Sequence, residues 1–209
     1  MTSISIIGAG NMGMAIASIA ARGGSPVQLI ARAAEKATSA ATTAGETVTP
    51  AVVGDVITGD IVVFAVPHPA ISAVLAEYGP QLDGKVIVDI TNPLDFSTFD
   101  SLAVPADSSS AQEIATVVPG ATVLKAFNTT FAATLAAGEV RGVPTTVLIA
   151  GDDQGAKDAL AAIIQAGGIG AIDAGALKRA RELEAIGFLQ LTLAIGGKLG
   201  WTGGFAVAA

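Results

Sequence analysis

Residues 2–20 read TSISIIGAGNMGMAIASIA, a short apolar strand followed by a glycine-rich turn and a helix of small residues. The turn contains G-x-G-x-x-G at Gly8, Gly10 and Gly13. In a dinucleotide-binding turn, Gly8 permits the tight exit from the strand, Gly10 lets the backbone approach a pyrophosphate, and Gly13 lets the helix pack closely. The free N–H groups at the helix start then face the anion. Because a second apolar strand follows at Val27–Ile30, the pattern predicts a nucleotide-binding turn rather than a structural one.

Short apolar runs recur along the chain and alternate with helical segments. Most are β-branched and continuous, as expected for strands buried on both faces of a parallel sheet. Right-handed crossovers then give an α/β fold of the Rossmann type, a doubly wound, mostly parallel sheet that binds ligands at the carboxyl ends of its strands. The predicted strands are Ile4–Ile7, Val27–Ile30, Ile61–Val66, Val86–Ile90, Thr122–Ala126 and Thr145–Ala150, with helices at Met14–Ala21, Ala33–Ala44, Pro69–Tyr78, Ala111–Val117 and Ala156–Gln165.

The composition argues against several classes of function. A formal net charge of −7 and a sequence pI of about 4.5 give no general attraction for nucleic acid or an anionic membrane. With no cysteine and one histidine, a metal site is not expected. The apolar run Ala185–Ile195 is too short to span a bilayer, and no signal-peptide pattern precedes the first strand. We therefore expect a cytoplasmic protein.

The residues after the second strand indicate which dinucleotide is bound. NAD sites of this type place Asp or Glu there to hold the ribose 2′-hydroxyl, whereas this chain has Ala31. Arg32 and Lys36 share a helix face and suit a 2′-phosphate, and Arg32 also suits stacking on the adenine ring. A pair of merely solvated cations is the weaker explanation, because cations at a helix start oppose the helix dipole. We therefore predict NADP(H) rather than NAD(H).

His68, the only histidine, stands between Pro67 and Pro69 directly after the third predicted strand. It is either a catalytic group, a side chain that flanks the cofactor phosphate or ribose, or a simple loop residue. Because the sequence places no carboxylate beside it to orient the ring, the non-catalytic interpretations are favoured.

Polar residues also follow the later strands. Asn92 and Pro93 come where a nicotinamide ring is reached in this fold, and Asn92 either binds the cofactor or shapes the turn. Asn128 either faces the substrate cleft or caps a helix. The neighbouring carboxylates Asp152 and Asp153 are better explained by a capped helix start than by a metal site.

The composition changes in the last part of the chain. From about Leu177 a long helix is predicted, which becomes apolar almost all round beyond Ala185. A helix that is apolar on every face must be covered, which favours a homodimer over a helix buried in its own chain. Trp201 either closes the cleft of its own subunit, closes that of a neighbouring subunit, or merely packs. We predict a nucleotide-binding domain at residues 1–126 and a small C-terminal domain at 127–209 for substrate binding and dimerisation.

Together these motifs resemble the family of deazaflavin-dependent NADP oxidoreductases, small enzymes that move a hydride between NADP(H) and a deazaflavin coenzyme. The matching segments run in the family's order over nearly the whole chain. They are GAGNMG at 8–13, ARAAEK at 31–36, AVPHPA at 65–70, DITNPLDF at 89–96, SSSAQEIATVVPGATVLKAFNT at 108–129, VLIAGDD at 147–153 and DAGALKRARELEAIG at 173–187.

The resemblance implies where each part of the cofactor binds. It places the pyrophosphate and 2′-phosphate at the first two strand ends, and the ribose and nicotinamide at the third. The residues are Ala9, Asn11 and Met12 for the pyrophosphate, Arg32 and Lys36 beside Ala31 for the 2′-phosphate, and Val66, Pro67 and His68 for the ribose and nicotinamide. We also expect Ala65, which precedes Val66, to contact the cofactor. Ala9 and Ala31 replace hydroxyl residues of founding members, so the 2′-phosphate would rest on the two cations.

The function that the resemblance implies is hydride transfer between NADP(H) and a small-molecule acceptor, with a deazaflavin coenzyme as the co-substrate. The protein's task is to stack the nicotinamide against the acceptor ring and to exclude water. We expect no side chain to act as acid, base or nucleophile. The alternatives are a reductase of another small acceptor (a flavin, quinone or imine) and a non-catalytic NADPH-binding sensor.

Overall fold

The computed structural model describes residues 1–207. Short 3-10 turns at His68–Ala70 and Leu177–Arg179 lead into the third and seventh helices. The strands are β1 Ile4–Ile7, β2 Val27–Ala31, β3 Val48–Val52, β4 Ile61–Phe64, β5 Val86–Asp89, β6 Thr122–Lys125, β7 Glu139–Val140, β8 Val143–Pro144, β9 Thr146–Gly151 and β10 Gly170–Gly175. The helices are α1 Asn11–Arg22, α2 Ala34–Ala44, α3 Ile71–Tyr78, α4 Ser110–Val117, α5 Ala132–Ala137, α6 Gln154–Ala166 and α7 Ala180–Ile195.

Within residues 1–207, eight strands form one sheet in the order β10-β9-β6-β5-β4-β1-β2-β3. β1 to β6 are mutually parallel. β9 runs antiparallel to β6, and β10 runs parallel to β9. The predicted fold class, a doubly wound and mostly parallel α/β sheet of the Rossmann type, is confirmed.

The strand order reverses between β1 and β4, and this reversal positions the site. From β1 the chain continues to one side through β2 and β3 and to the other through β4, β5 and β6. Loops that leave neighbouring strands in opposite directions open a crevice at the carboxyl ends of those strands. β1, β2 and β4 are buried along their whole length, which explains their continuous apolar sequences.

The sequence pattern did not predict β3. Its residues VTPAV include Pro50, which has no N–H to donate, and Thr49 and Pro50 are exposed. β3 pairs only with β2 and forms the edge of the sheet, where proline is tolerated. The short α5 and the β7–β8 hairpin were not predicted either, because elements of two to six residues have too little periodicity to detect.

The start of α6 confirms the capped-helix interpretation for Asp153, whereas Asp152 bonds to a different part of the chain. The Asp153 side chain accepts a hydrogen bond from the Ala156 N–H at 2.7 Å, and Asp152 accepts one from the Leu177 N–H at 2.9 Å. In the described part of the chain, no cluster of three His, Cys, Asp or Glu side chains is arranged to hold a metal. No helix within the same residues has the length and apolarity needed to cross a membrane.

α7 carries apolar side chains that the rest of the described chain leaves uncovered. Ile186, Leu189 and Ile195 are 37%, 50% and 50% exposed. A homodimer through this helix stays a prediction. The domain boundary at residue 126 also stays a prediction, and the sheet continues across it because β9 pairs with β6.

Candidate functional site

A cleft crosses the carboxyl ends of the parallel strands. One part, which we call the β2 cavity, has a volume of about 670 Å³ and lies between the ends of β1 and β2 and helix α3. The other part, the β5 cavity, has a volume of about 590 Å³ and lies over the ends of β5 and β6. Gly10, Ala65, Val66 and Pro67 line both cavities, so the two adjoin at the strand-order reversal. A dinucleotide binds across such a reversal, with its two ends on opposite sides.

The three glycines of the first turn are required for different reasons. Gly8 has a φ of +118°, and a Cβ there would overlap the Ala65 carbonyl oxygen. A Cβ on Gly13 would overlap the Gly8 carbonyl oxygen, so Gly13 sets the distance between α1 and β1. At Gly10 a Cβ would meet no heavy atom within 4 Å. The missing side chain of Gly10 therefore matters to a ligand approaching from the cleft and not to the fold.

The N-terminus of α1 lies at this turn. Within the described residues 1–207 it has no side-chain cap, and its first turn contains no acidic residue. The N–H groups of that turn and the positive end of the helix dipole are thus available to a phosphate. Ala9 lines the β2 cavity, and Asn11 and Met12 line the β5 cavity, as expected if the pyrophosphate joins the two.

The β2 cavity contains the two predicted cations. Arg32 and Lys36 both line it, and both are exposed. Neither forms a salt bridge with any residue in the described range 1–207. Ala31 lines the cavity floor at the end of β2 and is buried. The cations thus remain available for an anionic ligand.

The opposite wall of the β2 cavity comes from α3, which sequence reasoning did not assign to the site. Val74, Glu77 and Tyr78 line it. Tyr78 is 1% exposed, and its Oη accepts a hydrogen bond from the Gly54 N–H at 3.0 Å. Burial raises the pKa of this phenol, so it stays neutral and forms a fixed, uncharged wall. The apolar spacing within α3 indicates only a core-facing helix, which is why its edge was missed.

His68 lines the β5 cavity at the start of a 3-10 turn. Burial lowers the pKa of its imidazole, and the charge of Asp89 opposes that shift without cancelling it. The ring is therefore neutral at neutral pH and adds no cation to the cavity.

Asn92 and Asn128 meet in the β5 cavity, which both line. Asn92 Nδ2 donates to the Asn128 carbonyl oxygen at 2.9 Å, and Asn128 Nδ2 donates to Asn92 Oδ1 at 2.8 Å. Asn128 Nδ2 also donates to the Leu183 carbonyl oxygen at 2.8 Å, which ties α7 to the cavity. The alternative role of Asn128 as a helix cap is wrong, because α5 has Phe131 at its N-cap. Pro93 is buried and lines neither cavity.

Aromatic side chains form the outer part of the β5 cavity. Phe96, Phe131 and Trp201 line it, and the Phe131 and Trp201 ring centroids are 5.0 Å apart. Phe96 and Trp201 are 52% and 54% exposed. Trp201 therefore borders the cleft of its own chain, which is one of its three predicted roles. Phe96 and Phe131 were not predicted, since isolated phenylalanines in loops carry no periodic signal.

A buried ionic cluster, formed by Asp89, Lys125 and Glu184, supports the floor of the β5 cavity. Lys125 Nζ lies 2.8 Å from Asp89 Oδ2 and 2.8 Å from Glu184 Oε1, and all three side chains are 0% exposed. Lys125 also donates to the carbonyl oxygen of Thr91, a cavity-lining residue. Glu184 Oε2 accepts from the Ser110 N–H at 3.1 Å. The cluster thus connects β5, β6, α4 and α7, and sequence spacing did not reveal it.

Replacing Glu184 with Gln should change how stability depends on pH. Burial raises the pKa of the Glu184 carboxyl, while Lys125 opposes the shift. A carboxyl whose pKa rises on folding stabilises the fold below its usual pKa, here 4.5, and that contribution is lost as the pH rises through its folded pKa. We therefore expect the stability of the natural chain, relative to Glu184→Gln, to fall as the pH rises above 4.5.

Urea unfolding at a series of pH values measures this difference. Glu182→Gln is the matched control, because the Glu182 side chain is 54% exposed and pairs only at the surface. A pH profile of Glu184→Gln that coincides with that of Glu182→Gln would contradict the expectation.

Comparison with known proteins shows which family the chain resembles. Residues 3–93 match the family described as NADP oxidoreductase, coenzyme F420-dependent. The F420-dependent NADP reductase of Methanocaldococcus jannaschii is 31% identical over 149 residues, which are 69% of this chain and 66% of the relative. Metalloreductase STEAP3 of Rattus norvegicus is 38% identical over 112 residues, 54% of this chain and 22% of the relative.

Solved structures extend the likeness to the whole fold. A candidate F420-dependent NADP-reductase from Arthrobacter sp. FB24 superposes with a TM-score of 0.85 and 26% identity, over 100% of both chains. The chain spans 22% and 66% of the lengths of the two curated relatives named above. From the family match over residues 3–93, the Methanocaldococcus jannaschii relative and the shared fold, this chain resembles the coenzyme F420-dependent NADP oxidoreductases in sequence and in fold.

Proposed function

We propose that this protein binds NADP(H) and transfers a hydride between it and a deazaflavin-like acceptor. The observation that carries the proposal is the pair of adjoining cavities at the strand-order reversal. One contains two cations suited to a phosphate, and the other has aromatic walls suited to a ring. The family match of the chain and the NADP reductase among its relatives support the same activity.

The residues present fit NADP(H). The first turn offers uncapped N–H groups and an open approach at Gly10 for the pyrophosphate. Arg32 and Lys36, with no acidic residue at the end of β2, suit the 2′-phosphate of NADP(H) better than the 2′-hydroxyl of NAD(H). The nicotinamide end is then directed toward Ala65, Val66 and Pro67, where the two cavities adjoin.

In this proposal the protein supplies position and a dry environment. NADPH held by these residues would supply a hydride, which is one hydrogen nucleus with two electrons, and the proton that completes reduction of the acceptor would come from bulk solvent. Asn92 and Asn128 give the cavity a hydrogen-bonded floor, and the aromatic walls exclude water from the reacting rings. His68, neutral and at the cavity wall, flanks the ring without acting as a charged group.

The double replacement Arg32→Ala with Lys36→Ala should separate the two cofactors. A hydrogen bond to a charged group contributes about 1.5–3 kcal/mol. Because both cations are exposed and thus partly screened, we expect NADPH affinity to fall about 10- to 100-fold, with NADH affinity nearly unchanged. Calorimetric titration with both cofactors measures this.

Lys178→Ala is the control, because it removes an exposed cation that lines neither cavity. Equal weakening of NADPH and NADH in the double variant would refute the 2′-phosphate assignment. A protein that binds NADPH tightly but oxidises it with no deazaflavin, flavin, quinone or imine would be a binding protein instead of an enzyme.

A further inference from the structure

We propose that the β5 cavity takes a planar fused-ring acceptor that carries no phosphate or carboxylate group, and that it recognises the ring by apolar and aromatic contact without a cationic side chain. This rests on the proposed function, since it specifies the chemical class of the hydride acceptor. A tail-free deazaflavin, an unphosphorylated flavin or a quinone belongs to this class.

The walls of the β5 cavity favour a flat ring. Phe96, Phe131 and Trp201 are three of the nine aromatic residues in the chain, and all three line this one cavity. Leu94 and Leu191 add aliphatic surface. Phe96 and Trp201 keep about half of their surface exposed, so a ring placed against them removes apolar area from water and stacks on aromatic faces.

The charges around the cleft are distributed unevenly. No Lys, Arg, Asp or Glu is among the described residues that line the β5 cavity, whereas Arg32 and Lys36 line the β2 cavity. The chain thus places cations where a nucleotide phosphate is expected and none against the acceptor. An anionic group bound in the β5 cavity would lose hydration without gaining an ion pair.

The ionisable groups near the β5 cavity do not supply a cation either. Among residues 1–207, His68 is the one titratable side chain that lines it, and burial lowers the pKa of its imidazole. Below the floor, Lys125 is shared between Asp89 and Glu184, so one ammonium group faces two carboxyl groups. With a net charge of −7 on the whole chain, an acceptor that carries phosphate or carboxylate groups is repelled at low ionic strength.

Trp201 provides a direct measurement, because it is the only tryptophan and lies at the cavity wall. Quenching of its fluorescence reports ring binding without requiring turnover. We would titrate the NADP⁺-saturated protein with two matched pairs: riboflavin against FMN, and a tail-free 8-hydroxy-5-deazaflavin against the full anionic coenzyme. Within each pair the ring is the same and only the anionic groups differ.

We expect the member of each pair that lacks phosphate and carboxylate groups to bind at least as tightly as the anionic member that carries them. Raising the ionic strength from about 0.01 M to about 0.15 M shortens the Debye length from about 30 Å to about 8 Å. This change should increase the affinity of the anionic member only. A preference for the anionic member by tenfold or more, about 1.4 kcal/mol, would overturn the proposal. The proposal is also overturned if Trp201 emission changes with protein concentration and does not respond to any ring compound. That result would indicate that the aromatic walls contact a second copy of the chain.

The Phe96→Ala variant tests whether the aromatic walls contribute to ring binding. Phe96 is half exposed, so its replacement should leave the fold intact, and we expect both members of a pair to bind about two- to tenfold more weakly. NADPH affinity should not change. Val117→Ala, which removes another exposed apolar side chain outside both cavities, is the control. A loss of affinity for the anionic member alone would contradict the proposal.

The failure of this proposal is distinguishable from failure of the proposed function. If the ring compounds quench Trp201 fluorescence but NADPH is never oxidised, the proposed hydride transfer is refuted. The proposed class of ring ligand is then still supported. If only the anionic acceptors are reduced, the proposed acceptor class is refuted. The proposed hydride transfer is then still supported.

Discussion

Replacing Lys125 with Met should lower the free energy of unfolding by about 3–5 kcal/mol, because it leaves buried carboxylates without a counter-charge. Lys125 Nζ lies 2.8 Å from both Asp89 Oδ2 and Glu184 Oε1, and none of the three side chains is exposed. A domain of this size typically has a total stability of about 5–15 kcal/mol. Urea unfolding followed by circular dichroism should therefore show a large shift of the midpoint.

Lys157→Met is the matched control for this variant. Lys157 pairs with Asp173 at 2.7 Å, but the Asp173 side chain is 40% exposed, so water can solvate it once the lysine is gone. We expect a smaller loss there, about 1 kcal/mol. Adding Glu184→Gln to Lys125→Met should restore part of the stability, since it removes one of the unpaired carboxylates. Equal losses for the two lysine variants would show that the cluster does not behave as a buried charge network.

Gly13→Ala should weaken both the fold and cofactor binding. Its new Cβ would overlap the Gly8 carbonyl oxygen, a backbone atom of the same turn, so α1 must move away from β1. Overpacking of this kind costs about 1–3 kcal/mol. The displaced N–H groups of α1 would also lose charge-assisted hydrogen bonds to the pyrophosphate, each about 1.5–3 kcal/mol. We expect NADPH affinity to fall at least about tenfold, as measured by calorimetric titration.

Gly10→Ala separates the two effects. Its φ of −82° suits alanine, and its Cβ would meet nothing within 4 Å. Stability should stay the same or rise slightly, while NADPH affinity should fall because the methyl group occupies the approach of the pyrophosphate. If Gly13→Ala kept full stability, or if Gly10→Ala bound NADPH as well as the natural chain, the assigned roles of these glycines would be wrong.

The parts of the site that follow a single strand were predictable from the sequence. The glycine turn, the cations after β2 and the polar residues after β5 and β6 each reflect a local rule, because a parallel sheet directs every strand end toward the same edge. Arg32, Lys36, His68, Asn92 and Asn128 accordingly all line the cleft. Pro93, predicted by the same rule, lies outside both cavities because its turn directs it into the core.

The sequence by itself determined the fold class and the strand ends that border the β2 cavity, because glycine patterns and buried β-branched runs act through neighbouring residues. Only the tertiary structure decided the α3 wall of that cavity and the shape of the β5 cavity. Phe131 meets Trp201, and Lys125 meets Glu184, across long separations in the chain. No spacing rule encodes such pairs, since they form only when α7 and the residues after it fold back over the ends of β5 and β6. The opening glycine turn therefore predicts a bound dinucleotide, and the packing of α7 shapes the cavity over the ends of β5 and β6.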